Sequence, residues 1–358
     1  MLEFDLEPGD AFDQLFVIGL ASILDAETGT TSHLLWDNGG VVTLECAAVA
    51  NFSEAANVVH GHARRQAESA WLKTVTHLSV GDRSPLSPRL GKLSTPDAFR
   101  ELEEARRELI ESIPSEDALT RRFIGALGRP SDWSLSPERE ILPDAGASTW
   151  EMKTRNRGEE FVQNRLSLLA DAVVARTDQQ VQDGVEGVSE IDEVGKGALS
   201  SRTPTGLRAP GPADNTRAWC ALWGLSALPV RPVVGNAGGS TSVTTGAIRN
   251  RGSVWFYLPV IEETTTVAGF RAVAQSKYLA DQAASAVRVP DASVSAKGVR
   301  WLEQHHVRQF FVFQRHRSDN ANAPELWAEP GTLHDLVQPR RGIRRSSRQA
   351  ERTGPLVC

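Results

Sequence analysis

The sequence is poor in cysteine and has no long apolar run. Its three cysteines, Cys46, Cys220 and Cys358, form neither a C-x-x-C pair nor the spacing of a disulfide framework. We therefore expect reduced thiols that are mostly buried. No apolar run approaches the roughly 18 residues of a membrane span. These two shortages argue against a disulfide-stapled secreted domain and against insertion in a membrane.

A secretion signal is also missing from the pattern of the first residues, MLEFDLEPGDAFDQL. They carry acidic side chains where a signal carries basic ones, and they lack a small-residue cleavage site. We expect a cytoplasmic protein. The formal net charge of -6 argues against nonspecific coating of nucleic acid, but it leaves local basic patches open. Arginine provides 33 of the 39 basic residues, which suits phosphate and carboxylate binding, although a GC-rich genome produces the same bias.

Common catalytic motifs are absent from the sequence. There is no G-x-x-x-x-G-K-[ST] loop, no G-x-S-x-G elbow and no H-E-x-x-H pair. His60 and His62 in VHGHARRQ could approach a metal together, but two histidines need further ligands. We expect no catalytic residue, no metal and no cofactor. A metal-dependent nuclease that uses His60, His62 and a carboxylate not yet placed stays open as an alternative.

The apolar periodicity predicts an α+β fold in which two lobes each combine helices with an antiparallel sheet. AFDQLFVIGLASILDAETG has a helical stripe, in which Gly19 would let another backbone approach closely. The runs HLLW and VVTLE flank an Asn-Gly turn and predict a hairpin. TRAWCALWGLSALPVRP predicts a short helix with Trp219 and Trp223 in the core, while GSVWFYLPVI and VRQFFVFQRHRS predict strands.

Changes in composition suggest the boundaries of these lobes. We expect an N-terminal α+β lobe with a helical insert over residues 1–176 and a C-terminal α+β lobe over residues 217–335. Residues 177–216 are poor in aromatics and rich in Gly, Pro, Ser and acid, which predicts a mobile acidic linker. Residues 336–358 form an Arg-rich tail that we expect to be disordered.

Two short segments, KTRNRG and IRNRG, repeat one pattern of arginine, asparagine, arginine and glycine. Arginine forks and side-chain amides hold phosphates and read base edges, and glycine lets a backbone come near. QRHRS adds a third basic run at the end of a predicted strand, and Trp150 is a candidate for stacking on a base. The alternative is a surface loop whose cations pair with nearby glutamates. The candidate nucleic-acid contacts are Lys153, Arg155, Asn156, Arg157, Asn164, Arg165, Arg249, Asn250, Arg251, Arg315 and Arg317.

The order of several segments resembles a known family. An LFVIGLASILD helix with a Trp-containing hairpin comes first, then WEMKTRNRGEEFVQ at mid-chain, then RAWCALWGLSALPVRP and VWFYLPV. Over about residues 1–335 this order resembles the compact large subunits of type I CRISPR surveillance (Cascade) complexes, particularly the I-G (formerly I-U) group. The acidic segment and the Arg-rich tail are the parts that depart from the resemblance.

The resemblance implies a noncatalytic protein. Such subunits sit on a ribonucleoprotein built on a guide RNA, contact double-stranded target DNA beside the guide-paired region, and help recruit a helicase-nuclease in trans. The implied partners are therefore the guide RNA, the DNA target and the other CRISPR effector subunits, with no membrane. A protein-binding scaffold that pairs its arginines with acidic protein surfaces, without nucleic acid, is a further alternative.

Overall fold

The computed structural model describes residues 1–37, 40–79, 81–87, 95–127, 134–135, 141–142, 161–228, 248–250, 252–290, 292–319 and 325–338. These residues contain both helices and antiparallel sheets, which confirms the α+β class. None of the described helices combines the length and the apolar character that crossing a bilayer demands.

The helices follow the predicted apolar periodicity at most positions. They are α1 (Ala11–Thr28), α2 (Phe52–Glu68), α3 (Ala70–Lys73), α4 (Pro96–Ser112), α5 (Ala118–Leu127), α6 (Leu168–Ala175), α7 (Asp178–Glu186), α8 (Asn215–Gly224), α9 (Val267–Ala274), α10 (Lys277–Ala286) and α11 (Ala296–Gln304). A π-helical turn, Val162–Ser167, precedes α6, and a 3-10 turn, Leu225–Ala227, follows α8.

The strands form a four-stranded sheet, a five-stranded sheet and two small ribbons in the part of the chain described. They are β1 (Leu2–Asp5), β2 (His33–Trp36), β3 (Val41–Glu45), β4 (Thr76–Ser79), β5 (Gly81–Arg83), β6 (Ser134–Leu135), β7 (Ile141–Leu142), β8 (Ile248–Asn250), β9 (Ser253–Ile261), β10 (Thr265–Thr266), β11 (Val307–Arg317), β12 (Leu326–Ala328) and β13 (Thr332–Asp335).

The four-stranded sheet has the order β1-β3-β2-β10. The predicted hairpin is confirmed, because β2 and β3 pair antiparallel with Leu34 opposite Leu44. The edge strand β1, which the periodicity did not reveal, pairs with β3 and places Phe4 opposite Val42. The other edge strand, β10, comes from the second half of the chain, so the sheet joins both halves.

The five-stranded sheet is built around β11. One edge of β11 pairs with β9, and its other edge pairs with β13 near the start and β12 near the end. Phe310 and Phe313 of β11 are fully buried, and Leu258 of β9 lies opposite Phe311. The predicted strands over GSVWFYLPVI and VRQFFVFQRHRS are therefore confirmed as the centre of this sheet.

Helices α1 and α8 cross at two glycines and connect the halves of the chain. A Cβ atom on Gly19 would overlap the carbonyl oxygen of Cys220, and one on Gly224 would overlap the carbonyl oxygen of Leu15. The predicted close backbone approach at Gly19 is thus confirmed. Trp219 and Trp223 of α8 are fully buried, as expected. A single hydrophobic cluster includes residues of both expected lobes.

Residues 177–216 differ from the expected mobile linker. Thr177 forms a capping box at the start of α7, whose Val181 and Val185 are fully buried. Farther along, the carboxylate of Asp192 accepts hydrogen bonds from the hydroxyls of Ser201 at 2.5 Å and Thr203 at 2.6 Å. The polar side chains that made this segment look like a solvated loop therefore form hydrogen bonds with one another inside the protein.

Candidate nucleic-acid interface

Five of the residues expected to contact nucleic acid lie outside the described part of the chain. They are Lys153, Arg155, Asn156, Arg157 and Arg251. The stacking candidate Trp150 also lies outside it. Their predicted roles stay predictions. The remaining candidates fall into three groups, on the π-helical turn, on β8 and on β11.

The π-helical turn before α6 contains Asn164 and Arg165. Its neighbour Gln163 anchors the turn, because the Nε2 atom donates a 2.5 Å hydrogen bond to the carbonyl of Leu72. Asn164 is exposed and Arg165 is half-buried. A π-helical turn widens a helix locally and is found often at functional sites.

Asn250 on β8 has a structural role. Its Nδ2 atom donates to the carbonyl oxygens of Val287 and Arg288, each at 3.0 Å. These bonds tie β8 to the end of α10 and compete with any reading of a base edge by this amide. Arg249 lies on the same strand, where its Cα is paired with that of Val254.

Arg315 and Arg317 lie at the end of β11, opposite β12. The register pairs Arg315 with Ala328 and Arg317 with Leu326. Since successive strand residues point to opposite faces, His316 and its partner Trp327 lie on the other face. Arg317 is exposed and Arg315 is half-buried. The apolar strand therefore ends in cations at the surface, as the sequence predicted.

A pocket beside this end of the sheet brings together residues distant in sequence. We call it the arginine pocket. It is lined by Arg165, Arg202, Pro204, Thr205, Gly206, Arg208, Pro210, Glu325, Leu326 and Trp327. Its enclosed volume of about 20 Å³ is room for roughly one water molecule. A whole small-molecule ligand would not fit, so the pocket suits one oxygen of a larger group presented from outside, such as a phosphate on a chain.

Arg202 lines the arginine pocket and has one donor that is not hydrogen-bonded among the described residues. One terminal nitrogen of its guanidinium forms an ion pair with Glu325, and its side chain is 22% exposed. Its Nε atom is buried and has no hydrogen-bond partner among the described residues. Because buried polar groups are nearly always hydrogen-bonded, this donor indicates a place for an acceptor that comes from outside.

Arg208 is held in position by two contacts. Its guanidinium lies 4.4 Å above the ring of Phe12, and Nη1 is 3.4 Å from the Oδ2 atom of Asp10. The cation-π contact and the ion pair fix the side chain before any ligand arrives. The carboxyl group of Asp10 has a raised pKa, chiefly because of burial and secondly because of the charge of Asp13, while Arg208 lowers it.

An aromatic stack adjoins these arginines. The rings of His316 and Trp327 are parallel to within 21°, with centroids 3.9 Å apart. His316 Nδ1 lies 2.8 Å from Oε1 of Glu329. Trp327 is half-buried and also lines the arginine pocket. An indole beside guanidinium groups is the combination that holds a base and its phosphate in single-strand binding proteins.

Sequence reasoning missed Arg202, Arg208 and Trp327. The first two lie in the segment interpreted as a linker, and Trp327 follows the strand that was singled out for its arginines. They meet because the backbone N–H of Ala328 donates a 2.9 Å hydrogen bond to the carbonyl of Gly206, which docks the loop on β12. No local pattern in SRTPTGLRAP signals this pairing.

His60 and His62 do not converge on a common point. His60 contacts Asp178 through Nδ1 at 3.0 Å and the carbonyl of Val174 through Nε2 at 3.2 Å. His62 is buried against Trp219 and Trp223. Within the described ranges, no three His, Cys, Asp or Glu side chains are grouped closely enough to hold a metal ion.

No protein-family model matches this chain, and a search of curated proteins finds no significant match.

Proposed function

We propose that this chain is a noncatalytic nucleic-acid-binding subunit of an RNA-guided antiviral complex of CRISPR type I, acting in the cytoplasm. In this proposal it contacts target DNA beside the guide-paired region, together with guide RNA and other effector subunits, and a helicase-nuclease is recruited in trans. The family resemblance of the sequence supports the complex. The arginine pocket supports the contact with nucleic acid.

The observation that carries the binding proposal is the unpartnered Nε of Arg202 beside two other arginines. A guanidinium offers donors in a planar fork that matches phosphate oxygens. Arg202 uses one edge for Glu325, which leaves Nε directed elsewhere. A phosphate at this position would satisfy the buried donor, and the neighbouring guanidinium groups of Arg165 and Arg208 would add charge attraction.

The position of Trp327 favours a nucleotide chain over a free anion. An indole in the same pocket provides an apolar face about the size of a base, whereas inorganic phosphate would gain nothing from it. Arg317, exposed at the end of the adjoining strand, adds a cation at the same end of the sheet, on the face opposite to that of Trp327. The arrangement therefore suits a phosphate at the mouth of the pocket with the chain continuing around the end of the sheet.

The binding proposal is tested by fluorescence anisotropy with labelled single-stranded and duplex DNA over a range of salt concentrations. The variant combines Arg202→Ala and Arg317→Ala. The matched control combines Arg100→Ala and Arg107→Ala, which removes two exposed arginines that pair within α4. Circular dichroism establishes that both variants keep the fold.

We expect weaker binding only for the pocket variant. The slope of log K against log salt should fall by about 0.7 per lost contact on a single strand and about 0.9 on duplex. Equal affinity and equal slope for the pocket variant and the control would overturn the assignment of this site. An equal loss of binding in both variants would mean that the protein attracts DNA by its overall charge and not through the arginine pocket.

A further inference from the structure

Cys46 lies just below the surface at the end of β3. The backbone N–H of Val49 donates a 3.1 Å hydrogen bond to the carbonyl of Cys46, which closes a tight turn. The turn residues Ala47 and Ala48 are exposed, while Cys46 itself is 8% exposed. The thiol therefore belongs to a buried residue that adjoins an exposed turn.

Hydroxyl groups from the segment after α1 surround this thiol. Thr30 Oγ1 lies 3.1 Å from the Sγ atom of Cys46 and 2.7 Å from Oγ1 of Thr28. Thr28 in turn donates a 2.7 Å hydrogen bond to the carbonyl of Leu24. The result is a chain of hydrogen bonds that leads from the sulfur to the last turn of α1.

The direction of this chain depends on the proton of Cys46. Each hydroxyl has one hydrogen to donate. With a neutral thiol, Cys46 donates to Thr30, Thr30 donates to Thr28, and Thr28 donates to Leu24. With a thiolate, the chain reverses, so that Thr28 donates to Thr30 and Thr30 donates to the sulfur. In the thiolate form the carbonyl of Leu24 loses the hydrogen bond from the Thr28 hydroxyl. This carbonyl still lies within helix α1, where the backbone provides a donor.

Ser32 supplies a second and independent donor. Its side chain is fully buried, and its Oγ atom makes no hydrogen bond of ordinary geometry among the described residues. Its backbone N–H is held by Oδ1 of Asp25 at 2.6 Å, which fixes the residue beside Cys46. The carboxylate of Asp25 and the sulfur of Cys46 are the acceptors beside this hydroxyl, and a negative charge on the sulfur would strengthen its attraction for the hydroxyl proton.

The two described cysteines therefore have opposite environments. Burial alone would raise the pKa of the Cys46 thiol, but the donors around the sulfur, from Thr30, the Ala48 N–H, Ser32 and Thr28, bring that pKa below its ordinary value. Burial raises the pKa of the Cys220 thiol strongly, and the charge of Asp214 raises it further. Cys220 is thus an internal reference for an inert thiol.

We propose that Cys46 is an oxidative modification site whose thiolate, held by Thr30 and Ser32, reacts with hydrogen peroxide. The sulfur attacks one peroxide oxygen, so that an S–O bond forms and the O–O bond breaks. Hydroxide leaves and takes up a proton to become water. The sulfur is oxidised by two electrons to a sulfenate, and the peroxide is reduced. This inference is independent of the proposed binding of nucleic acid.

The test uses the full chain with Cys358→Ser, which leaves Cys46 and Cys220. The protein is treated with hydrogen peroxide in the presence of dimedone, which traps sulfenic acid, and the adducts are located by mass spectrometry. Thiolate absorbance near about 240 nm is followed against pH, with Cys46→Ser as the blank. This second readout does not depend on the access of a reagent.

We expect the adduct on Cys46 and not on Cys220, and a thiolate midpoint below the ordinary value of about 8.5. Thr30→Val should raise this midpoint and slow the reaction about tenfold for each unit of rise. Thr31→Val, an exposed neighbour, should leave both unchanged. A midpoint at or above the ordinary value, equal results for the two threonine variants, or no adduct on Cys46 would each overturn the proposal.

Discussion

The indole Nε1 of Trp219 donates a 3.2 Å hydrogen bond to Nδ1 of His62. An indole N–H only donates, so Nδ1 carries no proton and the neutral ring is protonated on Nε2. His62 is fully buried, with the ring of Trp223 edge-on at 4.5 Å. Because α2 and α8 come from different halves of the chain, this contact ties the two halves together around a neutral histidine.

This environment makes stability depend on pH. Burial, and secondly the charge of Arg65, lower the pKa of His62 from 6.5 to about 3. Below pH 6.5 this histidine binds a proton in the unfolded chain but stays neutral in the folded chain until the pH approaches 3. Stability contributed by the neutral ring is therefore complete above pH 6.5 and is lost as the pH falls towards 3. The loss is roughly 1.4 kcal/mol per pH unit.

The pH effect is measured by urea unfolding between neutral pH and about pH 4. His62→Gln keeps an acceptor for Trp219 but cannot be protonated, so its free energy of unfolding should fall less steeply with acid. His33→Gln, an exposed histidine, is the control and should follow the parent. An unchanged pH dependence in His62→Gln would contradict the account.

The crossing of α1 and α8 predicts a sharp contrast between glycines. Gly19→Ala should cost about 3 kcal/mol or more, because the new methyl group overlaps the carbonyl of Cys220 and backbone must move. Gly61→Ala, on α2, meets no atom within 4 Å and should be stabilising by about 0.5 to 1 kcal/mol. Thermal unfolding of both variants measures the change in Tm. Similar changes in Tm for the two variants would contradict the close contact of α1 and α8 at Gly19.

The packing of residues 177–216 depends on a buried ion pair. Arg176 Nη1 lies 2.9 Å from Oδ1 of Asp214, and both side chains are almost fully buried. Asp214→Ala would leave the guanidinium with Glu193 as its remaining ionic partner, and should cost about 3 to 5 kcal/mol. Glu190→Ala, exposed in the same segment, is the control.

Limited proteolysis reports this packing directly. The parent protein and Glu190→Ala should resist cleavage within residues 177–216, and Asp214→Ala should be cut there. Rapid cleavage of the parent within this segment would restore the interpretation of a mobile linker.

The basic segment KTRNRG carries a separate prediction. Replacing Lys153, Arg155 and Arg157 by alanine should weaken binding to DNA, because each phosphate contact that is lost removes counterion release. The slope of log K against log salt on duplex DNA should fall by about 0.9 for each contact. Filter binding at several salt concentrations measures the affinity and its salt dependence. The same affinity and slope as the parent protein would show that this segment does not contact DNA.

Periodic apolar residues allowed much of the fold to be predicted. The stripe of α1, the β2–β3 hairpin and the strands β9 and β11 follow from local spacing, because each buries a regular set of side chains. Strand β1 has four residues, as β2 does, but it leads towards a helix and not across a turn into a partner strand, so no hairpin pattern marked it. Whether Asp192 and Asp214 face solvent or the interior depends on partners far along the chain, which local composition does not encode.

The candidate site shows the same division. The cations at the end of β11 were found because they interrupt an apolar strand. Arg202 and Arg208 were missed because they join that end of the sheet only through the docking of Gly206 on β12. A pocket made from three distant segments has no signal in any one of them.

Copurification tests the central claim most directly. The tagged chain is expressed in its native host, isolated at low salt, and analysed for bound RNA by sequencing and for bound proteins by mass spectrometry. The account predicts a discrete small RNA of guide type together with backbone-type effector subunits. Isolation of the chain free of RNA and of such subunits would contradict a role in an RNA-guided complex.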